Sequence, residues 1–193
     1  MRPHLKLSIN LFDDHFENLR IVKDVESIFG KSRIAYRQLM FEVTERQPLA
    51  NLDRARIVIR RLQDLGARVA LDDAGTGHGG LAYLQELGMD VIKIDKLFID
   101  TIGTDRISAP IVDSLIKLAR DLGMEVVAEG VERFDQVQYL RMRGVEAAQG
   151  YLFAPALPGP SFIQLIQMMD PTEKTGASAE AISVERRIAT MVA

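Results

Sequence analysis

The sequence predicts an α/β fold in which strands and helices alternate, the arrangement that curls into a parallel (β/α) barrel. Two observations support this prediction. A short step recurs in which a helix end, a glycine and an apolar run follow one another, as LQDLGARV, LQELGMDV, ARDLGMEV and, more loosely, LRMRGVEA. In addition, six apolar runs each end in polar or charged residues. Because the carboxyl ends of barrel strands open onto one face, these six ends predict a common polar mouth.

The apolar runs define six predicted strands, and the glycines of the repeated step are expected to end helices in a left-handed conformation. The strands are Leu5–Asn10, Leu39–Glu45, Val69–Asp73, Val91–Asp95, Val126–Glu129 and Ala147–Tyr151. The glycines are Gly66, Gly88, Gly123 and Gly144.

Three helices are predicted around these strands. Asn51 or Asp53 is suited to cap one that runs to Leu65, and Ser108 is suited to cap a second. A third, amphipathic helix is predicted over Pro160–Met169. Residues 1–169 are therefore expected to form a partial barrel domain. The polar tail, residues 170–193, is expected to be disordered or weakly helical.

Composition and charge are those of an ordinary globular domain, with 193 residues, 47% hydrophobic and 26% charged. A net charge of -3 without a basic block argues against binding to a nucleic-acid polymer. The absence of cysteine excludes disulfides and thiolate metal sites. No apolar run reaches the roughly 18 residues of a membrane span, and the N-terminus lacks the apolar core of a signal peptide. We therefore expect a cytoplasmic location.

The predicted mouth is rich in oxygen ligands, contributed by Asn10, Glu42, Asp72, Asp73, Glu129 and Gln149. Unpaired carboxylates repel one another, and Lys93 alone cannot balance them. Hard divalent cations such as Mg²⁺ or Mn²⁺ favour this ligand type, and two such ions suit the in-line hydrolysis of phosphodiesters. Zinc is disfavoured, because His4, His15 and His78 show no ligand spacing.

Each of these residues also has an ordinary structural interpretation. Glu42 or Glu45 alone is more simply explained as a solvated residue or a helix cap at a strand end. Lys93 and Asp95 can form a structural ion pair, and the glycines after Asp73 can form a simple turn. Only the joint pattern favours metal chemistry.

Five ordered motifs, FEVTE, LDDAGTG, VIKID, VVAEGVE and QGYLF, resemble the EAL family of cyclic di-GMP phosphodiesterases. The resemblance runs from Leu5 to about Ile166. It implies a TIM-type (β/α) barrel of the EAL family, incomplete, with about six of the eight strands. It also implies hydrolysis of cyclic di-GMP to linear pGpG with Mg²⁺ or Mn²⁺, two ions being expected in a complete site.

The resemblance further implies roles for individual residues. The implied metal ligands are Asn10, Glu42, Asp72, Asp73 and Glu129. Lys93 resembles the lysine that helps to activate the attacking water, and Gln149 resembles a glutamine near that nucleophile; with Glu129 they form the implied catalytic set. Glu45 resembles the anchor of the glycine-rich loop, while Asp95 and Glu132 are expected to support the site.

Two departures from the family pattern stand out. The Glu-Ala-Leu motif and the arginine that follows it are absent, and the resemblance places them in two strands before Leu5. The loop after the aspartate pair has Ala74 where the family usually has phenylalanine, and His78 and Gly79 near the place of a tyrosine-serine pair.

The departures leave alternatives to a phosphodiesterase. One is a catalytically inert EAL-like module for binding or protein interaction, and another is a truncated fragment. With six strands, Leu5–Asn10 and Ala147–Tyr151 would form exposed edges. We therefore expect a homodimer, or a partner segment that completes the barrel, in addition to cyclic di-GMP as the ligand.

Overall fold

The computed structural model describes residues 5–46, 49–76, 80–103, 109–145, 147–168 and 190–192. The strands are β1 (Lys6–Leu11), β2 (Leu39–Thr44), β3 (Arg68–Ala74), β4 (Val91–Ile94), β5 (Glu125–Ala128), β6 (Ala147–Ala148) and β7 (Thr190–Val192). The helices are α1 (Arg20–Phe29), α2 (Leu52–Asp64), α3 (Gly80–Glu86), α4 (Lys96–Ile99), α5 (Ala109–Asp121), α6 (Phe134–Met142) and α7 (Gly159–Met168). Short 3₁₀ helices cover Asp13–Phe16 and Tyr36–Gln38.

All pairings in the sheet are parallel, in the order β6-β5-β4-β3-β2-β1-β7. Strands β1 to β6 follow chain order and curl into an incomplete barrel, so the predicted fold is confirmed. Five of the six predicted strands agree with the structure to within one residue at each end. The sixth is shorter than predicted, since β6 contains only Ala147 and Ala148.

Strand β7 was not predicted from the sequence. It pairs with the first half of β1, where Lys6, Leu7 and Ser8 lie opposite residues 190–192. The expectation that β1 is an open edge is therefore wrong over these three residues. The remainder of the predicted tail, residues 170–189 and 193, lies outside the described residues.

The predicted helix ends agree with the structure. The Asn51 side chain accepts a hydrogen bond from the Arg54 backbone N–H at 2.9 Å, which caps α2. All four glycines of the repeated step have φ between 66° and 94°, as expected for left-handed caps. Helix α7 begins one residue earlier than predicted, at Gly159. Ser108, the predicted cap of α5, lies outside the described residues.

The main core packs between the outer face of the sheet and the helices. Phe41 of β2, Leu71 of β3 and Ile59 of α2 are fully buried there. Among the described residues, no helix combines the length and the apolar character needed to cross a bilayer.

Candidate functional site

The inner face of the sheet carries a small apolar layer with a polar layer above it. Side chains two residues apart on a strand point to the same face. The apolar layer consists of Met40, Ala70, Val91 and Val127, with Ala147 packed against them. Two residues further along the same five strands come Glu42, Asp72, Lys93, Glu129 and Gln149. The two-residue period of the strands therefore places these polar side chains at the carboxyl-terminal mouth of the barrel.

Lys93 lies at the centre of this polar layer, with its side chain only 2% exposed. Its Nζ lies 2.8 Å from Glu42 Oε2, 2.8 Å from Asp72 Oδ1 and 2.7 Å from Glu129 Oε1. Burial disfavours the ammonium form, but the three carboxylates outweigh it and raise the pKa of Lys93 above its usual value. Lys93 is therefore a fixed buried cation at neutral pH.

Glu129 is held from two sides. Its Oε1 accepts a hydrogen bond from Gln149 Nε2 at 2.5 Å in addition to the contact with Lys93. Burial raises the pKa of Glu129 to about 7, and the positive charge of Lys93 opposes only part of this rise. A carboxyl group with this pKa can take up or release a proton near neutral pH.

The two adjacent aspartates reach the same site because β3 is irregular. In a regular strand, Asp72 and Asp73 would point to opposite faces. Leu71 pairs with Ile92 and Ala74 pairs with Ile94, so β3 contains one extra residue here, and Asp73 has φ 54°. As a result, carboxylate oxygens of Asp72, Asp73 and Glu129 all lie within 4.8 Å of one another.

Asp73 is surrounded by polar groups from two other strand ends. Arg46 Nε lies 3.0 Å from Asp73 Oδ2, and Arg46 Nη2 lies 2.9 Å from Asp95 Oδ2. Burial, followed by the interaction with Asp95, raises the pKa of Asp73 to about 6. Burial acts on Asp95 in the same direction, but hydrogen bonds from the Leu97 N–H and Arg46 outweigh it, and the pKa of Asp95 is lowered.

Glu45 contacts the start of the glycine-rich loop. Its buried carboxylate accepts a hydrogen bond from the Gly75 N–H at 2.6 Å. Gly75 has φ 93°, and a Cβ atom there would lie 2.7 Å from Phe98 Cε2. Both the backbone conformation and the contact with Phe98 therefore require glycine at this position.

The donor set of the site fits a hard divalent cation. Five carboxylates, from Glu42, Asp72, Asp73, Asp95 and Glu129, face two cationic side chains, from Lys93 and Arg46. The site therefore has an excess of three negative charges when all groups are ionised. Glu42 Oε1 is buried without a hydrogen-bond partner among the described residues, which leaves a ligand atom available. Oxygen-only donors of this kind are those that Mg²⁺, Mn²⁺ and Ca²⁺ prefer.

The structure brings together most of the predicted site residues. Glu42, Asp72, Asp73, Lys93, Glu129 and Gln149 form one connected cluster. Asn10 is exposed and lies beside Glu42 in strand register, and Asp95 joins through Arg46. Glu132 does not join, because its carboxylate pairs with Lys96 at 3.0 Å on the surface. The loop residues His78 and Gly79 lie outside the described residues.

Sequence reasoning missed Arg46 and Thr44. Thr44 Oγ1 donates a hydrogen bond to Asp73 Oδ2 at 3.3 Å, and Arg46 forms the contacts described above. Thr44 is the last residue of β2, and Arg46 follows two residues later. Polar side chains were expected to reach the mouth at this strand end, so this position was the available signal.

A profile of the EAL domain matches residues 1–156. The chain belongs to the EAL domain family. It is 35% identical over 163 residues to the probable cyclic di-GMP phosphodiesterase PdeN of Escherichia coli (strain K12). That alignment covers 84% of this chain and 31% of PdeN, so the chain spans less than a third of this relative.

Two solved structures show the same fold. The EAL domain of Mycobacterium smegmatis DcpA aligns with a TM-score of 0.79 at 30% identity, covering 84% of this chain and 73% of that one. Klebsiella pneumoniae BlrP1, in a manganese and cyclic di-GMP complex, aligns with a TM-score of 0.70 at 31% identity, covering 78% and 38%. Strands β1 to β6 thus form an incomplete TIM-type barrel of the EAL family.

Proposed function

We propose that this chain is the EAL-type core of a cyclic di-GMP phosphodiesterase, which hydrolyses the cyclic dinucleotide to linear pGpG with Mg²⁺ or Mn²⁺ when the barrel is complete. The observation that carries the proposal is the set of Asp72, Asp73 and Glu129 oxygens within 4.8 Å, beside the buried Lys93. Similarity to PdeN, a probable cyclic di-GMP phosphodiesterase, and to BlrP1, which has been solved with manganese and cyclic di-GMP, supports it.

The proposed ion ligands follow from the geometry and from the family resemblance. Asp72, Asp73 and Glu129 would hold one ion between them. The unpartnered Glu42 Oε1 and the neighbouring Asn10 extend the donor set toward a second ion. When bound, divalent ions would offset the phosphate charge and promote attack by water.

The remaining residues position groups and move a proton. In the proposed reaction, the water oxygen forms a bond to phosphorus while one P–O3′ ester bond breaks, and the departing 3′-oxygen takes up a proton. Glu129, which lies beside Lys93 and the two aspartates, would accept the proton of the water. Gln149 holds Glu129 in place, and Lys93 supplies a fixed positive charge beside the reacting groups.

The test is an assay for the conversion of cyclic di-GMP to pGpG in the presence of Mn²⁺, with the product measured by chromatography. The chain is assayed alone and after fusion to the two amino-terminal strands of a complete EAL domain. We expect the fused protein to hydrolyse the substrate and Asp72→Asn to abolish the activity. Asp53→Asn, an exposed carboxylate paired with Arg56, is the matched control and should leave the rate unchanged. Unchanged turnover in Asp72→Asn would contradict the proposal.

The alternative is an EAL-like module that binds the dinucleotide or a protein without turnover. It is favoured by the present charge pairing, since Lys93 and Arg46 already contact the carboxylates of the site. Saturable binding of cyclic di-GMP by the fused protein, with no hydrolysis under any divalent ion, would support this alternative.

A further inference from the structure

Arg46 directly follows the FEVTE motif, and its side chain reaches the ends of two other strands. Its Nε lies 3.0 Å from Asp73 Oδ2 and its Nη2 lies 3.2 Å from Asp73 Oδ1, so two N–H groups face the two carboxylate oxygens. The same Nη2 lies 2.9 Å from Asp95 Oδ2, while Asp95 Oδ1 accepts a hydrogen bond from the Leu97 N–H. Two-point contacts between arginine and a carboxylate are both strong and directional.

Thr44 adds a further contact to Asp73, and we call Arg46 and Thr44 together the clamp on Asp73. Its Oγ1 donates a hydrogen bond to Asp73 Oδ2 at 3.3 Å and accepts one from the Arg46 backbone N–H at 3.2 Å. One short segment at the end of β2 therefore holds Asp73 in the left-handed conformation that the β3 irregularity imposes.

The clamp and a divalent ion require the same atoms. Asp73 provides one of the three ligand oxygens that converge within 4.8 Å, and both of its oxygens face the guanidinium group. An ion at Asp73 would be repelled by this cation and would have to displace its N–H groups. Displacement is feasible because the Arg46 side chain is 58% exposed and can turn into solvent.

Building on the proposed divalent-ion site, we propose that Arg46 is an internal cation that competes with a divalent ion for Asp73 and thereby weakens ion binding there. An ion held by Asp72 and Glu129 alone does not depend on Arg46. An ion that also requires Asp73 binds only when the guanidinium group swings away. Arg46 is thus a residue that sets metal affinity rather than a catalytic residue.

The test is a titration with Mn²⁺ that is monitored by electron paramagnetic resonance. This method measures the concentration of free Mn²⁺ and needs no catalytic activity. The intact chain is compared with Arg46→Gln, Arg46→Lys, Asp73→Asn and the double variant Arg46→Gln/Asp73→Asn. Arg56→Gln is the matched control, because Arg56 forms an exposed ion pair with Asp53 on α2. We expect Arg46→Gln to bind Mn²⁺ about two- to fivefold more tightly, the range expected for loss of a partly exposed ion pair. The Mn²⁺ affinity of Arg46→Lys should lie between those of the intact chain and Arg46→Gln, and the affinity of Arg56→Gln should equal that of the intact chain.

The dependence on Asp73 separates competition from a merely structural effect. If Arg46 competes for Asp73, the gain of Arg46→Gln disappears in the double variant. Mn²⁺ binding that is unchanged in Arg46→Gln, or a gain that persists without Asp73, would overturn the role of Arg46 while leaving the ion site intact. Absence of Mn²⁺ binding in all folded variants would overturn the ion site, and the inference with it. Thermal unfolding of each variant confirms that it is folded.

Discussion

Replacing Glu129 with glutamine should change how the stability of the metal-free protein depends on pH. Burial raises the pKa of Glu129 from 4.5 to about 7, so the folded protein binds a proton there more tightly than the unfolded chain does. Between about pH 4.5 and 7, unfolding therefore releases a proton. Raising the pH favours this release, so stability is lost as the pH rises through this range. At about 1.36 kcal/mol per pKa unit, the loss is about 3 kcal/mol. Glu129→Gln keeps the shape and lacks this titration.

Urea unfolding in the presence of a chelator, at several pH values between about 4.5 and 8, measures the effect. The free energy of unfolding of Glu129→Gln, relative to the unmodified chain, should rise by about 3 kcal/mol across this range. Glu125→Gln, at an exposed position in β5 four residues before Glu129, is the control and should not show this rise. Parallel pH profiles for Glu129→Gln and the unmodified chain would refute the assignment of a buried, proton-binding carboxyl group to Glu129.

Three further predictions concern the site, its loop and the sheet edge. In a completed barrel, Lys93→Ala should abolish hydrolysis while sparing most binding of cyclic di-GMP, because the buried ammonium acts more on the transition state; an affinity loss with unchanged turnover would contradict this. Gly75→Ala should destabilise the chain by about 1–2 kcal/mol or more in thermal or urea unfolding, since φ is 93° and its Cβ would meet Phe98, whereas Gly88→Ala meets nothing within 4 Å and should cost less. The terminal strand β6, Ala147–Ala148, should promote dimerisation or aggregation, and a monodisperse monomer in light scattering with a sharp unfolding transition would contradict that.

Much of the fold was predictable because its signals are local. Four of the six apolar runs, those of β3 to β6, follow a glycine helix cap, and all six end in polar residues. The parallel order of β1 to β6 follows from alternation with helices. The inner-face cluster around Lys93 was predictable for the same reason, since strand period and strand end place Glu42, Asp72 and Glu129 on one face.

Other features depend on contacts between distant segments. The extra residue in β3 that turns Asp73 toward Asp72 arises from the register with β4, which no local pattern reveals. The contact of Arg46 with Asp73 and Asp95 joins three strand ends, so its partners are visible only in the folded chain. Strand β7 is separated from β1 by more than 170 residues and lies in a polar tail, where strand periodicity is weak.

Calorimetric titration of Mn²⁺ into the intact chain, repeated with Asp72→Asn, tests whether the acidic cluster binds a divalent ion. We expect saturable but weak binding that Asp72→Asn removes, because the acidic cluster fits a divalent ion while the family's Glu-Ala-Leu glutamate is not among its ligands. Binding that is unaffected by Asp72→Asn, or no binding at all, would contradict the assignment of this cluster as an ion site. Tight binding of two ions would instead show that the six-stranded barrel already contains every ligand that the site needs.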